Sequence, residues 1–178
     1  MKRIEVVVED LSSTSSDAIA VIPGTVLPGG VDLSNFVLSA AGITAVPTCA
    51  PGEMIMLPGG KLTTKQILYS PGIAWVDGSG REVPTLVSCY RVCLEAAEKS
   101  GFQTLDFPSV PTGTYKSQMF QVITMLWGAI ISFQAQHAMP EKVRIVCQNE
   151  EAATLYRQVY NFYYPGQKSD RMQDAGWD

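Results

Sequence analysis

A three-layer α/β/α sandwich around a mixed central sheet is the fold class that three features of the sequence predict. Short β-branched or apolar runs alternate with longer amphipathic ones along most of the chain, the pattern of an α/β domain. One stretch breaks the alternation: the runs Glu53 to Leu57 and Gln66 to Ser70 follow each other with only Pro58-Gly59-Gly60 marking the turn, so a mixed sheet is expected. The run Ala18 to Ile22 is apolar at every position, as in an interior strand covered on both faces.

Taken in order, Arg3 to Val8 alternates, with Ile4, Val6 and Val8 on one side, and reads as the first strand. Asp10-Leu11 ends it, a Ser/Thr connector follows, and Asp17 is placed to cap the next turn. After the Ala18 to Ile22 strand, Pro23-Gly24 and Pro28-Gly29-Gly30 form a Gly-rich loop. Ser34 or Asn35 then caps a short helix that runs to Ala41 and stops at Gly42. The strands Glu53 to Leu57 and Gln66 to Ser70 come next. Val83 or Pro84 opens an amphipathic helix with Leu86, Tyr90, Cys93, Leu94 and Ala97 as its buried stripe and Gly101 as its stop. Thr104 to Phe107 is the fifth strand. Met119 to Phe133 is a helix apolar almost all round, but too short and too interrupted by Gln121, Thr124 and Gly128 to span a membrane. It belongs between layers or at a subunit contact. Lys142 to Cys147 is the sixth strand, and Asn149 caps a last helix that opens on Glu150 and Glu151. Residues 1–164 read as one domain, and 165–178 as a polar, frayed tail in which Trp177 is out of character.

Composition excludes several classes. The 178 residues carry a formal charge of -4 without a basic stripe, which argues against a nucleic-acid footprint. Charged residues are 17% of the chain, below the roughly 25% usual in soluble domains, so more surface than usual is buried or sticky. Four cysteines sit in core-like segments and Met1 to Ile4 leads into no apolar signal core, which points to a cytoplasmic setting. Cys89 and Cys93 share a helix face, yet with His137 as the one histidine and no C-x-x-C pair, neither a metal nor another cofactor is expected. His137 ends a helix, where an imidazole meets terminal carbonyls. The common nucleotide and hydrolase signatures are absent, and a serine or cysteine nucleophile would lack a histidine base.

Two loops remain as candidate sites, 24–32 and 110–116, each at the carboxyl end of a strand, where open α/β sheets bind ligands. The stretch Phe107 to Lys116 leads from strand to helix through small residues, whose N–H groups and helix dipole suit an anion. A tight connection with no ligand reads the same way.

These residues carry a resemblance. Val8-Glu9-Asp10-Leu11 stands for Gly-Asp-Ile, Ala40-Ala41-Gly42 follows the Gly-rich loop, and Cys49-Ala50-Pro51-Gly52-Glu53 stands for Cys-Pro-Thr-Gly. Tyr69 to Trp75, Phe107 to Tyr115, and Ile145-Val146-Cys147 with Glu150-Glu151 follow in order. From about Arg3 to Tyr160 the chain resembles a macro domain, the ADP-ribose-binding module, in its deacetylase-like bacterial branch. The resemblance implies that Asp10 accepts a hydrogen bond from the adenine amino group while Leu11 touches the ring; a strand-end or helix-cap carboxylate is the other reading of Asp10. It implies that Gly29 and Gly30 line the ligand site, that Thr112, Gly113, Thr114 and Tyr115 cradle the diphosphate, and that the Tyr115 ring lies against the proximal ribose.

Departures from the family bear on catalysis. Where the hydrolytic branch has Asn-Ala-Ala-Asn, this chain has Val21-Ile22-Pro23-Gly24, and Val21 can neither orient a ribose nor hold a reactive water. In an ungapped register Ser34 replaces the catalytic Asp; a two-residue slip puts Asp32 there, the one candidate catalytic carboxylate. Lys116 replaces a glycine, where its ammonium either strengthens anion binding or extends into water. Gln148 replaces an aromatic residue. Three functions stay open: binding of ADP-ribose, a related adenine nucleotide or an ADP-ribosylated protein; an ADP-ribosyl hydrolase or O-acetyl-ADP-ribose deacetylase with a remodelled site; and a ligand-free interaction domain.

Overall fold

The computed structural model describes residues 3–24, 32–77, 79–110, 116–164 and 172–173. Among them run β1 (Arg3–Val8), β2 (Ala18–Val21), α1 (Ser34–Ala41), β3 (Ile55–Pro58), β4 (Gln66–Tyr69), α2 (Glu82–Lys99), β5 (Thr104–Pro108), α3 (Lys116–Gln136), β6 (Lys142–Cys147), α4 (Glu150–Tyr163) and β7 (Met172–Gln173). The sheet order is β3-β4-β2-β5-β6-β1-β7. Among the described strands only the β3–β4 pair is antiparallel. Consecutive strands without a helix between them can pair through a short turn, which is why the mixed element falls there.

Side-chain alternation divides the sheet into two faces. Ala18 and Ala20 of β2, Leu105 and Phe107 of β5, and Val143 and Ile145 of β6 join a large core with α2, α3 and α4. Ile19, Val21 and Ile67 face the other way and meet Val37, Leu38 and Ala41 of α1. This double covering is the reason β2 is apolar throughout. It also accounts for α3: Met119, Val122, Ile123, Leu126, Trp127 and Ile130 are buried, and the helix packs against both α2 and α4. Trp127 donates its indole N–H to the Tyr156 carbonyl at 3.1 Å.

Over β5, β6 and β1 the second face is polar. The segment after β1 makes a 3-10 turn, Leu11–Ser13, then crosses this face to reach β2. Ser16 Oγ donates to the buried Asp106 carboxylate at 2.6 Å. Arg144 bridges Asp106 at 3.1 Å and Glu9 at 2.7 Å. Burial works to lower the Arg144 pKa, but Glu9 and Asp106 hold it above its ordinary value. For Asp106 burial dominates and pushes its pKa up, against the pull of Ser16 and Arg144. Taking such a pair out of water offsets much of its attraction, so it adds little net stability, while loss of one partner alone would leave a buried charge uncompensated.

The structure moves several expected features. β2 ends at Val21, one residue early, and β3 begins at Ile55 rather than Glu53. The apolar run Met119 to Phe133 is the middle of a 21-residue helix. At α1 neither Ser34 nor Asn35 caps: the N-cap is Leu33, without a side-chain bond, and the acceptor is Asp32, which takes the Ser34 N–H at 2.9 Å. Gly42 closes that helix with φ 82°. His137 Nδ1 lies 2.7 Å from Glu98, and the imidazole stacks on Phe133. Within the expected tail, Met172–Gln173 pairs with Ile4 and Glu5 of β1. Trp177 lies outside the described residues.

Asp17 caps no helix. Its Oδ2 accepts from the Gln103 and Thr104 N–H groups at 2.9 and 3.4 Å, and its Oδ1 pairs with Lys65 at 3.0 Å. It thereby ties the starts of β2, β4 and β5 together. Partial burial works to raise its pKa, but Lys65 and the two backbone N–H groups outweigh that and leave it below the ordinary carboxylate value. A lowered folded-state pKa stabilises above the unfolded value and is lost in acid. Asp17→Asn is therefore expected to cost about 1–2 kcal/mol at neutral pH, with the deficit fading as pH falls below about 4. Urea unfolding across pH reads it. An equal deficit on both sides of that range would contradict the ion-paired carboxylate.

Candidate functional site

The carboxyl ends of β2, β5, β6 and β1 lie side by side in that order, and a cleft of ≈ 390 Å³ opens at them. Four adjacent strands cover three spacings, so their ends span roughly 14 Å.

At the β1 end, Val8, Glu9, Asp10 and Leu11 line the cleft with Val146 and Gln148 of the neighbouring strand end. Asp10 caps the 3-10 turn: its Oδ1 accepts from the Ser12 N–H at 2.9 Å and the Ser12 hydroxyl at 2.7 Å. The cap reading of Asp10 therefore holds. Among the described residues, both side-chain bonds fall on Oδ1.

In the middle, Pro108, Ser109 and Val110 continue β5 along the cleft floor. Two buried tyrosines fix this backbone from beneath. Tyr156 Oη accepts from the Val110 N–H at 2.9 Å. Tyr90 donates to the Pro108 carbonyl at 3.2 Å, and its ring stacks on Phe107 at 4.2 Å. Burial raises the pKa of both phenols far beyond neutrality, so both keep their protons.

Among the described residues the β2 end is mostly apolar. Val21 and Ile22 meet Leu33, Phe36 and Val37 from the start of α1 and Leu86 from α2. Asp32 lies there too, but each of its oxygens serves the fold: Oδ2 accepts from the Gly24 N–H at 3.1 Å and Oδ1 from the Ser34 N–H. The carboxylate thus joins both ends of the segment between Gly24 and Asp32.

Of the residues the sequence singles out, the cleft brings together Asp10, Leu11 and Asp32. Gly29, Gly30, Thr112, Gly113, Thr114 and Tyr115 lie outside the described residues, as does the Lys116 side chain, although Lys116 begins α3. Sequence reasoning missed Phe36, Val37 and Leu86 as walls. Phe36 had a signal: Val37, Leu38 and Ala41 form the buried stripe of α1, and a phenyl group off that stripe has no packing reason to be there.

Sulfur chemistry has no support. Burial pushes up the thiols of Cys49, Cys89 and Cys93, and that of Cys147 to about 12, so none is a thiolate near neutral pH. Among the described residues no group of histidine, cysteine or carboxylate side chains is arranged to hold a metal, and no helix is long and apolar enough to cross a membrane.

A family model described as Macro domain matches residues 36–126. The O-acetyl-ADP-ribose deacetylase of Salmonella gallinarum is 30% identical over 164 residues, 86% of this chain and 92% of that protein. The chain belongs to the macro domain family. A protein of the same name from an Enterobacter species is 31% identical over 88% of this chain and 93% of its own. A mutant Oceanobacillus iheyensis macrodomain with ADPR shares the fold at a TM-score of 0.70 and 22% identity, covering 89% of this chain and 91% of that one. The Trypanosoma brucei macrodomain in complex with ADP-ribose does so at 0.65 and 21%, covering 86% and 67%. In this macro domain, then, the buried apolar residues Val21 and Ile22 line the cleft where the hydrolytic pattern begins its Asn-Ala-Ala-Asn.

The Tyr156 bond is the most direct hold on the cleft floor. Tyr156→Phe strands the Val110 N–H and is expected to cost about 1–3 kcal/mol, read as a lower urea midpoint. A variant as stable as the parent would contradict the anchoring.

Proposed function

We propose that the cleft binds ADP-ribose or a related adenine nucleotide, with the adenine at the β1 end and little or no hydrolysis. The observation that carries this reading is the order of chemistry along the strand ends. A carboxylate whose side-chain bonds, among the described residues, fall on one oxygen stands beside Leu11 at the β1 end. Next comes the β5 end, which leads through the residues expected to hold a diphosphate into a helix whose N-terminal dipole favours anions. Last is the β2 end, where a distal group falls. A linear base–diphosphate–substituent ligand fits that order. The names of relatives support the choice of ligand: O-acetyl-ADP-ribose deacetylases in sequence, and a macrodomain in complex with ADP-ribose in structure.

Hydrolysis is disfavoured on two grounds. Val21 and Gly24, which stand where the hydrolytic branch has its two asparagines, offer no side-chain donor or acceptor to orient a water, and positioning is a large part of rate enhancement. Asp32, the carboxylate at that end, already accepts two backbone N–H groups, bonds that a general base would have to share.

Calorimetry with ADP-ribose tests the binding; absence of heat at millimolar ligand would contradict it. Asp10→Asn keeps the Oδ1 acceptor for Ser12 and replaces Oδ2 by a donor facing the adenine amino group. It is expected to lower affinity about 10- to 100-fold; equal affinity would remove the adenine from this end. Incubation with O-acetyl-ADP-ribose is expected to release acetate no faster than buffer, and release that depends on Asp32 would make this cleft a hydrolytic one.

A further inference from the structure

The two ends of the cleft differ in kind. At the β2 end six apolar residues, Val21, Ile22, Leu33, Phe36, Val37 and Leu86, line the cleft, and none has a hydrogen-bonding atom in its side chain. Val21 and Val37 belong to the smaller buried cluster, Ile22 and Leu86 to the larger. The pocket therefore sits where the two cores meet at the tip of β2. Among the described residues, the polar side chains at that end are Asp32, already tied to Gly24 and Ser34, and Ser34 itself.

Two of the walls stand open to solvent. Phe36 is 60% exposed and Leu33 41%, side by side on the first turn of α1, on the cleft rather than in the core. A sugar with several hydroxyls placed here would exchange bonds to water for contact with hydrocarbon, which is unfavourable for each hydroxyl left unpaired. An alkyl or aryl group in the same place would remove its own apolar surface and that of Phe36 and Leu33 from water together.

We infer that the β2 end is a subsite for an apolar group, so that the preferred ligand is an adenosine diphosphate carrying an alkyl or aryl substituent on its distal phosphate. This rests on the nucleotide reading of the β1 end. It adds that selectivity among adenosine diphosphates is set at β2, by hydrocarbon contact, with Val21 and Phe36 as the residues that decide it.

The test is equilibrium binding of the full chain to ADP, ADP-ribose and the β-benzyl ester of ADP. The benzyl ester is expected to bind about tenfold or more tightly than ADP-ribose, the discrimination one well-placed apolar group gives. Val21→Asn is expected to bring that ratio down toward one, and Phe36→Ala to reduce it. If ADP binds and the benzyl ester binds no more tightly than ADP-ribose, the apolar subsite is overturned and the nucleotide reading stands. If none of the three binds, both fall. Phe36→Ala removes an exposed side chain and leaves the core intact, so it carries the test even where Val21→Asn does not fold; an unchanged ratio in it overturns the assignment.

Discussion

Because β2, β5, β6 and β1 pair in parallel, their four carboxyl ends face the same way, and everything functional in this macro domain follows from that. Parallel neighbours need crossovers. The crossovers supply α2, α3 and α4 to one face, and β2 can hold its interior place only because α1 covers its other face. The connections that leave the carboxyl ends are forced to start at the cleft, so the residues after Val8, Val21, Pro108 and Cys147 become its lining. Binding groups are positioned by strand order and not by proximity in sequence.

The first crossover is the exception and shapes the β1 end. It has no α-helix, only a 3-10 turn and a strap laid over β6 and β5. A strap of serines and threonines cannot cover an apolar face, and the sheet beneath it is correspondingly polar, with Asp106, Arg144 and Glu9 linked to one another and to Ser16. Asp10 stands where the strap leaves β1. The cap bonds of its Oδ1 fix the direction of Oδ2, so a local structural role and a ligand role are compatible in one side chain.

Most of the fold was legible in the sequence because it depends on local periodicity: the doubly apolar β2, the alternating β1, the Asn149 cap and the Gly42 stop appear where pattern and propensity put them. Long-range pairing was less so. Asp17 joins residues some ninety positions apart, and Glu98 reaches His137 from another helix; neither leaves a trace in neighbouring residues. The site divided in the same way. Asp10, Leu11 and Asp32 were visible as motif positions. Phe36, Val37 and Leu86 were not, since a hydrophobic residue in an amphipathic helix reads as core until its neighbours in space are known. The loss of the two asparagines, at Val21 and Gly24, was visible; the apolar lining around Val21 was not.

A ligand lying along the strand ends with its base at β1 is the arrangement on which all of this depends. Amide chemical-shift mapping during titration with AMP and then ADP-ribose tests it without altering the protein. AMP is expected to move the amides of Leu11 and Gln148 and to leave Val21 and Ile22 nearly still, and ADP-ribose to move both sets together with Val110. Shifts confined to the outer faces of α3 and α4, or AMP acting first at Val21 and Ile22, would contradict it.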